Sequence, residues 1–200
     1  YFKDKSQADK AIEQIEEKLN IKNETKKEII MKTKEELVEL LKSDVQAFNA
    51  YRQQLFEQEI YDLDLNHVGL RNLDLRSANL RNVNLRNADL SGVNLRGTNL
   101  SNAKLTLSYL NNANLRGANL SYANLSKANL YCTNLSYANL SYANLWNANL
   151  SFANLENADL TFTGLRNANL RGTNLSHANL RNANLSDTNL DKKQNKKVLC

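Results

Sequence analysis

Few side chains in this sequence are of the types that carry out enzymatic or metal chemistry. It contains two histidines, His67 and His177, and two cysteines, Cys132 and Cys200. These four side chains lie far apart and lack the spacing of a metal site or of a nucleophile with its base. The serines recur where a turn accepts a small polar residue, and no glycine-rich phosphate loop is present. We therefore expect a protein that is not an enzyme and that binds no metal or cofactor.

Arginines and aromatic residues are the remaining candidates for a binding surface. The arginines concentrate in the first half of residues 61–190 and the aromatic residues in the second half. Exposed rings and arginines are common anchors of protein interfaces. The candidate partner-binding residues are Arg76, Arg96, Arg116, Tyr122, Tyr137, Tyr142, Trp146 and Phe162. The alternatives are that the arginines form a solvated face and that the rings only stabilise the fold by stacking.

A leucine at every fifth position indicates the architecture that holds these side chains. From Leu65 to Leu190 it recurs 26 times in succession, usually with a small residue two places before it and Asn or Asp between. On a helix this period turns each leucine by roughly 140° from the last, and on a flat strand it sends alternate leucines to opposite faces. The period fits a chain that turns once per repeat, with the small residue and the leucine inside. Stacked coils of this kind bury every leucine and pair their backbones about 4.7–4.9 Å apart.

The repeats resemble the pentapeptide-repeat family, whose consensus is A(D/N)LXX. The resemblance is carried by LRNADLSGVNLRGTNLSNAKL at 85–105 and ANLSYANLSKANLYCTNLSYANLSYANL at 118–145, and it extends over residues 61–190. It implies an all-β solenoid, a right-handed quadrilateral parallel β-helix with four pentapeptides per coil and therefore about 6.5 coils.

The sequence columns by themselves leave the number of faces open. Counting every fourth repeat places Tyr122 above Tyr142 and Phe162, as a four-sided coil requires. Counting every third repeat places Tyr122 above Tyr137 and Phe152 equally well, as a three-sided coil requires.

Residues 101–110, SNAKLTLSYL, form the least regular pair of repeats. Lys104 and Tyr109 stand where Asn is usual, and Leu107 occupies an outward corner position. One interpretation is a local bulge or a widened turn. The other is an unchanged backbone that tolerates the variant side chains.

Residues 1–60 lack the regular repeats and are rich in helix-forming residues with no proline. We expect three helices, at about 6–20, 24–42 and 43–59. Asn23 is placed to cap the second helix, and Ser43 with Gln46 to form a capping box at the third. An open solenoid end exposes leucines and unpaired backbone, so we expect this segment to be an α-helical cap. The alternative is an independent binding or coiled-coil dimerisation element.

The charge is unevenly distributed and bears on the choice of partner. Residues 1–60 carry 11 basic and 13 acidic side chains, residues 61–190 carry 11 and 7, and the tail at 191–200, which we expect to be flexible, carries 4 and 1. Some members of the resembled family mimic DNA and bind gyrase, but such mimicry requires an acidic surface. Nucleic-acid binding through the arginines is disfavoured, because the repeats contain no known module that reads bases. We therefore expect an unidentified protein partner, with a homodimer through a rod end or the N-terminal helices as a further alternative.

Location is indicated by the absence of two features. No run of about 18 apolar residues occurs, so we expect no membrane span. Two cysteines do not form a disulfide framework and favour a reducing compartment, so we expect a cytoplasmic protein with free thiols. The resemblance to the pentapeptide-repeat family implies a bacterial one. The first residue is Tyr1, and we expect the chain to be a fragment or a processed product.

Overall fold

The computed structural model describes residues 10, 14, 15 and 29–190, which fall in two compact units, one within residues 1–31 and one from residue 32 onward. In the first unit, positions 10, 14 and 15 are helical. Most of the helix predicted at 6–20 lies outside the described residues, as do the tail and Cys200. The second unit contains two helices and the repeats. None of the described helices is long and apolar enough to span a membrane.

Helix α1 spans Lys34–Ser43 and begins at a complete capping box. The Glu36 backbone N–H donates to the Thr33 hydroxyl at 3.2 Å, and the Thr33 N–H donates to the Glu36 carboxylate at 2.7 Å. Residues 29–33 are not helical, so the predicted range of 24–42 is wrong at its start. The box satisfies the free amides of the first turn, which sets the helix start at this point. The predicted cap, Asn23, lies outside the described residues.

Helix α2 spans Val45–Glu57 and follows α1 directly after Asp44. The Ala47 N–H donates to the Asp44 carboxylate at 2.9 Å, so Asp44 caps the helix. The predicted capping box of Ser43 with Gln46 is therefore wrong. The helix is two residues shorter at each end than the predicted range of about 43–59. Ser43 instead ends α1, where its hydroxyl donates to the Glu39 carbonyl at 2.7 Å.

The repeats form a stack of coils joined by parallel backbone pairing. Strand β1, Leu63–Asp64, pairs with strand β2, Val83–Asn84. Isolated parallel bridges continue at the same offset of four repeats, from Gly69 with Asp89 to Gly164 with Asn184. One coil therefore contains four pentapeptides. The three-repeat columns that the sequence allowed are excluded.

Each repeat turns at a corner where one residue has a positive φ. This residue is the second after each leucine, from His67 to Asp187, and its φ lies between 55° and 68°. Asn and Gly adopt this region at the lowest cost, which explains their frequency there. The outward Asn supports the turn, because its side-chain oxygen accepts the backbone N–H two positions later, as when Ser141 donates to Asn139 at 2.9 Å.

The leucines form one continuous core. Those from Leu65 to Leu170 are fully buried, and most of the small residues two places before them are buried as well. Where a hydroxyl replaces Ala at the small position, it donates to a backbone carbonyl: Thr133 to Leu110 and Ser108 to Leu105, each at 2.7 Å. The interior therefore accepts these hydroxyls without leaving them unpaired.

The irregular repeats at 101–110 keep the regular backbone. The Leu107 N–H donates to the Ser126 carbonyl at 3.1 Å, and the Tyr109 N–H donates to the Ala88 carbonyl at 3.0 Å, as in the neighbouring repeats. The interpretation as a bulge is therefore wrong. The departures from consensus change side chains and leave the ladder intact.

Side chains of α1 and α2 form hydrogen bonds with backbone groups of the first coil. Lys34 Nζ donates to the Asn66 carbonyl at 3.1 Å. The Asn49 side-chain amide accepts from the Asn79 N–H at 2.8 Å and donates to the Ser77 carbonyl at 2.9 Å. In later coils the backbone of an adjacent coil supplies the hydrogen-bond partners of these groups. The helix side chains therefore take the place of a preceding coil at this end of the stack.

Arg52 on α2 is fully buried against the same coil. Its Nη2 donates to the carbonyls of Arg81 at 2.7 Å and Tyr61 at 3.2 Å, and its guanidinium lies 4.6 Å from the Phe56 ring centroid. Its Nε and Nη1 have no hydrogen-bond partner among the described residues. Burial lowers the pKa of Arg52 to about 10, against the opposing effect of the nearby Asp62 carboxylate. Arg52 thus remains a cation at neutral pH.

Replacing Asn49 by Ala is expected to lower the free energy of unfolding by about 1–3 kcal/mol, because it leaves the Asn79 N–H and the Ser77 carbonyl without their side-chain partner. Denaturant-induced unfolding followed by circular dichroism measures the change. Gln53→Ala is the matched control, since Gln53 is an exposed amide on the same helix whose side chain bonds only Glu57 among the described residues. Equal midpoints for the two variants would contradict the prediction.

Candidate partner-binding surfaces

Three predicted aromatic residues form one stacked column on a single corner of the coil. The Tyr122 and Tyr142 ring centroids are 4.8 Å apart with an interplanar angle of 3°, and those of Tyr142 and Phe162 are 4.9 Å apart with an angle of 10°. The three side chains are 58%, 48% and 48% exposed. We name Tyr122, Tyr142 and Phe162 the aromatic column.

The rings of the aromatic column stand where the backbone disfavours them. Their φ values are 59°, 59° and 57°, and a bulky residue with positive φ costs of order 1–3 kcal/mol. Each stacked pair contributes about 0.5–1.5 kcal/mol beyond its buried area. The three positions together cost about 3–9 kcal/mol, and the two stacked pairs return about 1–3 kcal/mol of it. Stacking therefore offsets part of the cost, and stability alone does not favour the rings over Asn, which has a lower cost there.

The geometry of the aromatic column limits what it can bind. Tyr142 is covered on both faces by its neighbours, so the column presents ring edges and phenol oxygens to solvent. Ring edges carry the positive part of the aromatic quadrupole and suit carbonyl oxygens and the faces of other rings. A sugar or a base would find no open ring face in the middle of the column. These properties fit a polypeptide surface.

The other predicted aromatic residues lie on other corners and contact cations. Arg116 lies 5.1 Å from the Tyr137 ring centroid, and Lys127 Nζ lies 5.1 Å from that of Trp146. The structure thus separates Tyr137 and Trp146 from the aromatic column, because a four-repeat coil places them in different columns. Each has an intramolecular cation–π partner.

The three predicted arginines share one column but have different surroundings. Arg76 Nε and Nη2 donate to the Asp74 carboxylate at 2.9 and 2.6 Å, and Arg116 lies over Tyr137. The guanidinium of Arg96 makes no ion pair with a described residue. The open groove at this corner has a volume of about 560 Å³ and is lined by Val45, Gln46, Asp74, Arg76, Ser77, Arg96 and Gly97. The groove is therefore of mixed charge.

The Asp74–Arg76 pair sets the strongest local electrostatic effect at this corner. Side-chain hydrogen bonds from Arg76 are the main cause that lowers the pKa of the Asp74 carboxyl, and the Arg76 backbone N–H adds to it. The same contact raises the pKa of Arg76. Because both side chains are exposed, solvent screens the pair and its contribution to stability is small.

Sequence reasoning did not select several further exposed apolar side chains of the repeats, among them Leu107, Tyr109 and Tyr131. Leu107 and Tyr109 had a detectable signal. The other residues in the column of Leu107 are all polar, and those in the column of Tyr109 are mostly Asn. Tyr131 occupies a corner position where any residue type occurs, so composition provided no signal for it.

The histidines and the cysteine, whose side chains could take part in catalysis or metal binding, lie apart from one another. His67 and His177 stand at separate exposed corners, and His67 Nε2 lies 3.4 Å from the Asn87 amide. Cys132 has a free thiol. Within the described part of the chain, no three His, Cys, Asp or Glu side chains are grouped to hold a metal ion.

Comparison with known families identifies the repeats. The model of pentapeptide repeats matches in eight copies, at residues 69–109, 98–136, 108–147, 128–161 and 162–192. No functionally curated protein matches the chain.

Several solved structures are similar to the chain. The pentapeptide repeat protein alr5209 from Nostoc PCC 7120 is 34% identical over 51% of this chain and 78% of its own, with a TM-score of 0.39. The pentapeptide repeat protein Rfr23 from the cyanobacterium Cyanothece 51142 is 30% identical over 72% of this chain and 99% of its own, with a TM-score of 0.28. QnrB1, a plasmid-mediated fluoroquinolone resistance protein, is 17% identical over 68% and 83%, with a TM-score of 0.35.

Replacing Arg76 by Gln is expected to raise the pKa of Asp74 toward its ordinary value, because the guanidinium hydrogen bonds are lost while the backbone bond remains. A lowered carboxyl pKa stabilises the folded state at pH values above the ordinary carboxyl pKa, and this stabilisation is lost as pH falls through the lowered pKa. The variant should therefore lack this small contribution to stability at pH values above the ordinary carboxyl pKa. Carboxyl titration by NMR measures the shift. Arg96→Gln, one coil further along the same column, should leave the Asp74 titration unchanged, and an equal shift in both variants would contradict the assignment.

Proposed function

Because the chain belongs to the pentapeptide-repeat family, we propose that it is a non-catalytic scaffold that binds a protein partner through the outward columns of its coils. Pentapeptide repeat proteins fold as right-handed quadrilateral β-helices, and we infer the same hand for the coils of this chain. The parallel ladder holds outward side chains at fixed spacing. A rigid scaffold of this kind lets surface residues recognise a partner without ordering a loop on binding.

The aromatic column is the observation that carries the proposal. Three rings with about half of their surface in solvent form a contiguous apolar strip along one corner of the coils. They occupy positions where Asn has a lower backbone cost, and stacking returns only part of the free energy that the rings cost. Binding of a partner is a function that Asn could not supply there. Aromatic anchors of this type dominate the energetics of protein interfaces.

We assign a capping role to helices α1 and α2. Lys34, Asn49 and Arg52 form hydrogen bonds with backbone groups of the first coil, which supports the assignment. A covered end has no free ladder on which further chains could add. The outward columns then remain as the binding surface.

Charge favours a protein partner over the two alternatives. The repeats carry 11 basic and 7 acidic side chains, a net charge of +4, whereas a DNA mimic needs a strongly negative surface. A net charge of +4 spread over the whole repeat region is also small for a nucleic-acid interface. The arginines are partly engaged already, by Asp74 and by Tyr137.

The triple variant Tyr122→Asn/Tyr142→Asn/Phe162→Asn is expected to fold with a melting temperature no lower than that of the wild type, since relief of backbone strain offsets the lost stacking. It should lose at least tenfold in affinity for a partner that the wild type retains from native cell extract, because the anchors are removed. Affinity capture recovers the partner, and titration of that partner then measures the affinities of the wild type and of the triple variant.

Phe152→Asn is the matched control for this experiment, because it replaces a ring at a positive φ of 60° on a different corner. Its affinity for the recovered partner should equal that of the wild type. Undiminished retention of the partner by the triple variant would exclude the aromatic column as the interface.

The purified protein is expected to leave the supercoiling activity of DNA gyrase unchanged, because the basic repeats do not present the charge of a DNA duplex. A gel assay of plasmid supercoiling at increasing protein concentration measures the effect. A strongly acidic protein serves as the control for nonspecific inhibition. Inhibition or protection of gyrase at stoichiometric concentration would contradict the prediction.

A further inference from the structure

The outward side chains of residues 101–110 differ from those of other repeats although the backbone does not. Leu107 has a φ of 60°, within 2° of the values at Asn102 and Asn112 on the adjoining corners, which are 58° and 59°. The corner geometry is therefore the same with Leu as with Asn. The leucine is not required by the fold, and it stands in a conformation that Asn adopts more readily.

Leu107 and Tyr109 expose apolar surface to solvent, whereas several other exposed rings cover part of theirs by contacts within the protein. They are 47% and 53% exposed. The rings at Tyr122, Tyr137 and Tyr142 contact another ring or a cation. Within the described residues, Tyr109 has no such ring or cation contact, and its hydroxyl has no hydrogen bond. We name Leu107 and Tyr109 the Leu107–Tyr109 patch.

Tyr109 also stands at the start of a ladder of asparagine side chains, directly before Asn129. In its column the Asn149 amide donates to Asn129 at 3.3 Å, and the Asn169 amide donates to Asn149 at 3.2 Å. An Asn at position 109 would stand next to Asn129, since residues 109 and 129 form a bridge. Tyr109 thus replaces a residue that could extend these bonds with one whose ring lies in solvent.

Three cations lie near the Leu107–Tyr109 patch, and one of them, Lys127, also contacts the Trp146 ring. The carboxylate of Asp89 borders the patch as well, since Asp89 pairs with Tyr109. Arg86 and Lys127 belong to the same corner in the preceding and following coils, and Lys104 lies on the adjoining face of the same coil. Lys104 makes only a long, exposed contact of 3.5 Å with Asp62. An apolar anchor with a basic rim is complementary to an apolar segment with acidic flanks.

We propose that the Leu107–Tyr109 patch is a docking site for a short segment of a protein partner that carries an aliphatic or aromatic anchor between acidic residues. The patch lies on the corner next to that of the aromatic column and shares none of its residues. The inference rests on the proposed scaffold function and deepens it by adding a second contact and the chemistry of its ligand.

A polypeptide fits the patch better than a nucleic acid does. Leu107 has no ring face on which a base could stack. Asp89 is the ladder neighbour of Tyr109, and its carboxylate, 3.6 Å from Arg71, disfavours a phosphate backbone that passes over the patch and requires the acidic residues of a partner segment to lie on the other sides of it. A partner segment can instead place its apolar residue over the patch and its carboxylates toward the three cations.

A random library of short peptides selected on the purified full chain tests the proposal. The double variant Leu107→Asn/Tyr109→Asn serves as the counter-selection target. Enriched peptides are expected to combine an apolar residue with at least two Asp or Glu. A synthetic representative should bind the wild type at least tenfold more tightly than the double variant, and its Glu→Gln analogue should lose most of this difference.

The variant Leu107→Asn distinguishes a role in folding from a role in binding, because its expected effects on stability and on peptide affinity have opposite signs. Leu107→Asn should raise the melting temperature by about 2–4 °C, because Asn adopts positive φ more readily, while it weakens peptide binding. Tyr122→Asn on the neighbouring corner should leave the peptide affinity within twofold of the wild type. A lower melting temperature for Leu107→Asn would contradict a role outside folding.

Three results would overturn the proposal. The first is a library that enriches no acidic peptides over the double variant. The second is self-association of the wild type that the double variant abolishes, which would assign the patch to a second copy. The third is binding to a short DNA duplex that the double variant weakens. Because the triple variant of the aromatic column keeps both patch residues, failure of this proposal and failure of the scaffold function are distinguishable.

Discussion

Backbone pairing between coils is the constraint on which the rest of the structure depends. Each coil supplies N–H and carbonyl groups that only the next coil can satisfy, and pairing at an offset of four repeats aligns every repeat with its equivalent. Alignment places leucine on leucine in the interior, so the core continues without a gap. It also places outward side chains in columns. A change at one outward position therefore meets the same position one coil away.

The corners determine what those columns can contain. A positive φ in every repeat favours Asn and Gly, and most corners have small or polar residues there. Rings at the same positions have a backbone cost that stacking between coils partly offsets. Leu107 has the same cost without a ring partner. Departures from the favoured residues are therefore the surface positions to which we assign proposed binding roles.

The helices supply hydrogen-bond partners to backbone groups of the first coil that have no preceding coil to pair with. Buried backbone groups require hydrogen-bond partners, and Lys34, Asn49 and Arg52 provide side-chain partners where no earlier coil exists. Arg52 combines this role with burial beside Phe56, and it stays charged because its pKa of about 10 is still well above neutral pH. The long side chains reach the coil edge from helices whose apolar residues, Phe48 and Leu55, are fully buried.

The amino-acid sequence by itself determined the repeat, its inward leucines and the outward position of the candidate binding residues, because a five-residue period with a small residue two places before each leucine is compatible only with a chain that turns once per repeat. It also indicated helices between residues 34 and 57, although their first residues depended on which side chains capped them. Only the tertiary structure decided which outward residues are neighbours. Columns of every third and every fourth repeat fit the sequence equally well, and pairing between coils joined Tyr122 to Tyr142 while separating it from Tyr137. Likewise, only the intact ladder at 101–110 showed that Leu107 and Tyr109 alter the surface and not the backbone, since hydrogen bonds between coils join groups that lie four repeats apart, a separation that no local pattern contains.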